Sequence, residues 1–160
     1  MPCSALEGKE FIKQWFDKQG IEIVLDVGVG QGTYRDLLGD KYKWIGIEVF
    51  APYVEMFGLN KKYDQLIIGD VRIIELPDAD CIICGDILEH MLKEDVIKFL
   101  EKTKKFKHMV VSLPLGSWPQ GEVNGNSYET HLSEWTMREA EEIFNFPIKR
   151  QEGHMGIFIR

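Results

Sequence analysis

Three alternating glycines and a handful of acids carry the chemistry legible in this sequence. Asp26 stands two residues ahead of Gly28, followed by Gly30 and Gly32, in the stretch Ile21 to Thr33, IEIVLDVGVGQGT. Glycines in that rhythm let a backbone turn sharply and approach a ligand closely, and a helix leaving the turn directs its free N–H groups at the ligand. Glu48 closes a second apolar stretch, KWIGIEV, 22 residues beyond Asp26, where a carboxylate can accept both hydroxyls of a ribose. Asp70 and Val71 end a third, QLIIGDV, and Asp86, Ile87, Glu89 and His90 follow a fourth, ADCIICG. Glu129 and His131 lie in a long segment beyond a fifth. The first groups suit a nucleotide-type ligand, and the imidazoles and carboxylates of the last two are of the kind that move protons.

Such residues need strands that end beside one another. Ile21, Ile23, Val24, Leu25 and Val27 are too continuously apolar for a strand with one wet face, so they predict a strand buried on both faces of a parallel sheet. Lys43 to Val49, Gln65 to Gly69, Ala79 to Gly85 and His108 to Leu113 read as four further strands. Helices alternate with them. Ser4 and Glu7 fit a capping box ahead of a helix that puts Phe11, Ile12, Trp15 and Phe16 on one face and stops at Gly20. Tyr34 to Leu38 and Ala51 to Leu59, opened by Pro52, give two more. Lys93 to Lys105 is amphipathic with Val96, Ile97, Phe99 and Leu100 inward, and its terminal lysines read as a solvated face complementing the helix dipole. Thr136 and Glu139 form a second capping box, with Ala140, Ile143 and Phe144 facing in, and Phe146 to Arg150 and Met155 to Arg160 read as a closing hairpin.

At 160 residues, 44% of them hydrophobic, the chain is expected to form one domain over 1–160, with its N-terminal helix within 1–20. A formal net charge of -7 argues against gripping nucleic acid through its phosphates. With no apolar run of membrane-span length and neither a basic leader nor an apolar signal core at the start, a cytoplasmic protein with no membrane partner is expected. Cys81 and Cys84 spell C-x-x-C, but residues three apart on a strand point to opposite faces, so they read as buried structural thiols; Cys3 carries no argument. No metal site is read from the sequence.

The glycine spacing separates two nucleotide-binding patterns. A dinucleotide fingerprint wants its third glycine where Thr33 stands, one residue beyond Gly32. D-x-G-x-G-x-G instead resembles motif I of the class I S-adenosylmethionine-dependent methyltransferases. Glu48, Asp70 with Val71, the string Asp86 to His90, SLP and the terminal hairpin extend that resemblance along essentially the whole chain. It implies an α/β fold: a doubly wound, seven-stranded, mostly parallel sheet with a C-terminal antiparallel hairpin and helices on both faces. It also implies S-adenosylmethionine as cofactor, with Asp26 at the methionine end, Gly28, Gly30 and Gly32 in the turn, Glu48 on the ribose, Asp70 and Val71 at the adenine, and Asp86 and Ile87 bordering the cofactor. The chain lacks the Asn/Asp-Pro-Pro-aromatic motif of nucleic-acid base amino-methyltransferases and a cytosine-type Pro-Cys after strand four, so the acceptor is expected to be a small molecule methylated on O or N.

The stretch Leu115 to Ser133, LGSWPQGEVNGNSYETHLS, is long for a connection in a compact domain and carries Trp118, Tyr128, Glu129 and His131. It is expected, over 114–133, to act as a substrate loop or lid. His131 is the first candidate base, with Glu129 orienting or polarising it, and His90 the second. Positioning alone can supply ~7 to 11 kcal/mol, so a base is needed only for a hydroxyl or a protonated amine. Two other readings stay open: a non-catalytic methyltransferase-like subunit, its pocket covered by a partner protein or a second copy, and an NAD-binding oxidoreductase.

Overall fold

The structure, a computed structural model, describes residues 5–160. Strands β1 (Ile23–Val27), β2 (Lys43–Glu48), β3 (Gln65–Ile68), β4 (Cys81–Gly85) and β5 (His108–Pro114) are mutually parallel, and β6 (Ile148–Glu152) and β7 (Met155–Ile159) form an antiparallel hairpin. Their order across the sheet is β3-β2-β1-β4-β5-β7-β6. β7 runs against β5, pairing Ser112 with Ile157, so the seven-stranded sheet expected from the sequence is present with its one reversed strand. Strand order turns back between β1 and β4, and at that point the carboxyl ends of the strands diverge and leave a crevice.

Helices cover both faces because the strands bury both. Leu25, Val27, Ile82, Cys84 and Val111 pack on one side with Val96 and Phe99 of α4 (Lys93–Thr103) and Ala140 and Phe144 of α5 (Met137–Phe144). Val24, Trp44, Cys81, Ile83 and Val110 pack on the other with Ile12 and Phe16 of α1 (Lys9–Phe16), Tyr34 and Leu38 of α2 (Thr33–Leu38) and Tyr53 of α3 (Pro52–Met56). Cys81 and Cys84 therefore lie on opposite faces as free, buried thiols, for the period-two reason the sequence supplies. No helix among the described residues is long and apolar enough to cross a membrane.

Several local expectations need correction. α1 starts at Lys9 after Gly8 in the left-handed region and ends at Phe16, short of Gly20; Ser4 of the expected capping box lies outside the described residues. α3 ends at Met56, because Gly58 turns left-handed and a 3₁₀ turn over Leu59–Lys61 replaces the last expected helical turn. Ile97 is half exposed, since the inner stripe of α4 runs through Val96, Phe99 and Thr103. The lysines at the end of α4 are not simply solvated: Lys102 Nζ donates to the carbonyls of Val71 and Ile74, and Lys105 Nζ to that of Leu76. They tie the chain after β3 to the helix. The second capping box forms as expected, Thr136 Oγ1 accepting from Glu139 N and Glu139 Oε2 from Thr136 N, an arrangement stabilising by about 1 kcal/mol.

Candidate active site

A cavity of about 560 Å³ opens over the carboxyl ends of β1 to β5, a size typical of small-molecule and cofactor sites. Its floor is the turn after β1. Gly28, Gly30 and Gly32 have φ of 68°, 50° and 82°, a region that L side chains rarely adopt, and a Cβ on Gly28 would stand 2.5 Å from Ile87 Cδ1. Gly28 N donates to Ile47 O at 2.9 Å, which fixes the turn against the end of β2. Gly28, Gly30 and Ile87 line the cavity, whereas Gly32 caps α2 behind it.

Glu48 follows from the register of β1 on β2, which brings the end of β2 alongside the turn. Its buried carboxylate accepts from Gly30 N at 3.1 Å and Phe50 N at 2.8 Å, and it lines the cavity. Burial pushes its pKa up, and those two amides oppose the shift. Each oxygen keeps a lone pair for a further donor. Asp70 sits beyond β3, also on the wall, where Arg72 clamps it through Nε at 2.9 Å and Nη2 at 2.5 Å and holds its carboxyl below the usual range. Val71 beside it is buried and on the wall.

Asp26 is placed elsewhere. It shares the sheet face of Val24, so its carboxylate lies beneath the turn and off the cavity wall, accepting from Tyr63 Oη at 2.6 Å. Burial raises its pKa to about 7, against the lowering effect of the Tyr63 hydroxyl and of Lys9. The place at the methionine end expected for Asp26 is thus not on the cavity wall, and its carboxylate faces the Tyr63 hydroxyl.

A family model described as a methyltransferase domain matches residues 25–106, just over half of the chain. The chain belongs to the class I S-adenosylmethionine-dependent methyltransferases. A flavonoid 8-O-methyltransferase from Ocimum basilicum is 31% identical over 88 residues, which is 54% of this chain and 24% of that protein. Among solved structures, a small RNA methyltransferase superposes with a TM-score of 0.72 at 18% identity, covering 94% of this chain and 24% of the other. The 1,6-didemethyltoxoflavin-N1-methyltransferase of Burkholderia thailandensis, solved with S-adenosylhomocysteine, gives 0.69 at 14% identity, covering 94% and 75%. The chain thus spans about a quarter of the curated relative it matches.

The other end of the methyltransferase cavity is built from the turn after β4 and the segment after β5. Asp86 adopts φ 53°, unusual for a non-glycine residue, and its carboxylate accepts from Ala5 N at 3.1 Å and Ser112 Oγ at 3.4 Å. Leu132 N and Ser133 N donate to Glu89 O at 2.8 and 3.0 Å, drawing the long segment onto a 3₁₀ turn over Leu88–His90. The His90 and His131 rings consequently meet edge to face, centroids 4.8 Å apart. His90 Nδ1 faces the Thr130 carbonyl at 3.3 Å and His131 Nδ1 the Trp118 carbonyl at 2.5 Å. A carbonyl only accepts, so both Nδ1 atoms donate, and in a neutral ring Nε2 is the atom left with a lone pair. Burial, then the neighbouring His131, lowers His90 to about 4.

Glu129 does not orient His131. Its carboxylate accepts from Tyr53 Oη at 3.1 Å and Asn126 Nδ2 at 3.4 Å, and the Trp118 carbonyl takes the orienting role. The segment 115–133 is a hydrogen-bonded wall: Gly116 N donates to Trp135 O at 2.8 Å, His131 N to Gln120 O at 3.0 Å and Gln120 Nε2 to Glu129 O at 2.8 Å.

Sequence reasoning missed Tyr63 beneath Asp26, and Lys9, a buried lysine of α1 whose Nζ donates to Tyr34 Oη at 2.8 Å, which in turn shares a hydrogen bond of 2.7 Å with Ser112 Oγ. Lys9 is a polar break in a helix face read as apolar, and that break is the signal that could have found it.

Proposed function

We propose that this chain binds S-adenosylmethionine and transfers its methyl group to an oxygen or nitrogen of a small-molecule acceptor. The observation that carries the reading is one continuous cavity with the glycine turn, Glu48 and Asp70 at one end and the His90–His131 pair at the other. The residues present fit the cofactor. The turn excludes side chains where a backbone must approach a ligand, and Glu48 offers a buried acceptor at the place a ribose requires. Asp70 and Val71 offer an acceptor and an apolar surface for a base, and Asp86 and Ile87 border the ligand. S-adenosylmethionine, when bound, supplies a methyl group already activated on a sulfonium.

The protein's task is alignment and exclusion of water. The backbone of the turn and Glu48 hold one reactant, while Trp118, Tyr128 and Leu132 wall the space for the other. His131, held by the Trp118 carbonyl, presents Nε2 to an acceptor hydroxyl and takes its proton, a contribution of typically ~10²–10⁴-fold. His90, lowered to about 4 by burial, backs it as a neutral imidazole. The sheet also disfavours a dehydrogenase, whose strands all run parallel, because β7 is reversed.

Incubating the protein with methyl-labelled cofactor and a panel of small phenols, alcohols and amines tests the proposal. Label in a small-molecule product supports it. Label found only in RNA or protein overturns the acceptor class, and no transfer from a cofactor that binds favours a non-catalytic subunit.

A further inference from the structure

We propose that Glu89, His90 and His131 form a binding site for a divalent transition-metal cation at the acceptor end of the cavity. A carboxylate oxygen of Glu89 and one ring nitrogen of each histidine lie within 4.8 Å of one another. Ligands around a cation at ~2.1 Å stand ~3 Å apart, so small side-chain adjustments close the set. All three residues line the cavity, which leaves the remaining coordination positions open to it.

Two independent observations point to a ligand. The Glu89 carboxylate is only 2% exposed, and its Oε2 has no hydrogen-bond partner among the described residues. A buried, unpartnered carboxylate oxygen is costly, and a cation is the group that satisfies it best. Each imidazole also donates Nδ1–H to a main-chain carbonyl, Thr130 for His90 and Trp118 for His131. That support fixes ring orientation and leaves Nε2 as the donor atom, the arrangement usual for metal-bound histidine. The Glu89 carbonyl further locks the geometry by accepting from Leu132 and Ser133, so the segment carrying His131 cannot drift from the turn carrying His90.

Two imidazoles and one carboxylate with open positions suit Mn²⁺, Co²⁺, Fe²⁺ or Zn²⁺ better than Ca²⁺, which prefers oxygen ligands throughout. With a cation held there both Nε2 atoms are ligands and His131 no longer takes the proton: the cation binds the acceptor's oxygen, lowers the pKa of its hydroxyl, and the proton leaves to solvent. This catalytic use rests on the function proposed above; the binding of the cation does not.

The test titrates metal-stripped protein, without cofactor, with Mn²⁺ by calorimetry and with Co²⁺ by visible absorption. One cation per chain is expected, with affinity at least tenfold weaker in Glu89→Gln and in His131→Ala and unchanged in His108→Ala, a histidine at the opposite end of β5. His131 is only partly buried, so its variant keeps the test open if Glu89→Gln fails to fold. No cation uptake, uptake unaffected by both variants, or uptake lost in His108→Ala overturns the site. S-adenosylhomocysteine binding, measured separately on the metal-free protein, shows whether the methyltransferase reading stands or falls by itself.

Discussion

The two ends of the cavity are assembled by different means. At the cofactor end, each residue sits where its own strand stops, and its partners are mostly main-chain groups one crossover away: Gly28 on Ile47, Glu48 on Gly30 and Phe50. At the acceptor end, Glu89 and His90 meet a histidine from beyond β5, brought in by two hydrogen bonds to the Glu89 carbonyl. The first end is generic to a doubly wound sheet, so it suits a ligand common to many proteins. The second depends on one long segment, and under the proposed function that segment is the one to specify the acceptor.

The comparison breaks if the ends do not separate functionally. His131→Ala, assayed on an acceptor the chain methylates, is expected to lower turnover by roughly a hundredfold or more while S-adenosylhomocysteine affinity, read by calorimetry, moves less than threefold. Gly28→Ala is expected to do the reverse. Its Cβ needs a positive φ and meets Ile87 Cδ1 at 2.5 Å, so a loss of about a hundredfold in cofactor affinity is expected with a fold that circular dichroism still finds native.

Two smaller effects sharpen the division. Asp26 is an acid whose folded pKa is raised to about 7, so the unfolded chain releases its proton first and this residue's contribution to stability falls as pH rises from about 4 to 7. Urea unfolding should therefore show Asp26→Asn gaining about 2 kcal/mol relative to wild type between pH 5 and pH 8. A gap independent of pH would show the carboxyl ionised throughout. Tyr53→Phe removes the hydroxyl that reaches from α3 to Glu129, and is expected to cost about 1 kcal/mol in the same assay without altering cofactor affinity.

Legibility in the sequence follows the same divide. The glycine turn, Glu48 and Asp70 were readable because a strand's end is marked by its own residues, an apolar run and then a polar or glycine stop. The terminal hairpin was readable for the same reason. Asp26 was recognised by position but its side chain misplaced, because its partner Tyr63 comes from the far side of β2 and only the sheet's alternation shows which face it takes. Glu89, His90 and His131 were each singled out, yet their meeting was not predicted. It depends on Leu132 and Ser133 pairing with a carbonyl some forty residues away, and main-chain donors leave no trace in residue type. The lysines ending α4 teach the same lesson, since Lys102 and Lys105 bind carbonyls of the chain after β3 that nothing in KTKKFKH announces.

The most direct test of the account is calorimetric titration of S-adenosylhomocysteine into wild type and Glu48→Gln, with NAD titrated in parallel. Micromolar binding of S-adenosylhomocysteine by wild type, weakened at least tenfold by Glu48→Gln, with no binding of NAD, is the predicted result. Folded wild-type protein that ignores S-adenosylhomocysteine, or that takes up NAD in its place, would contradict it.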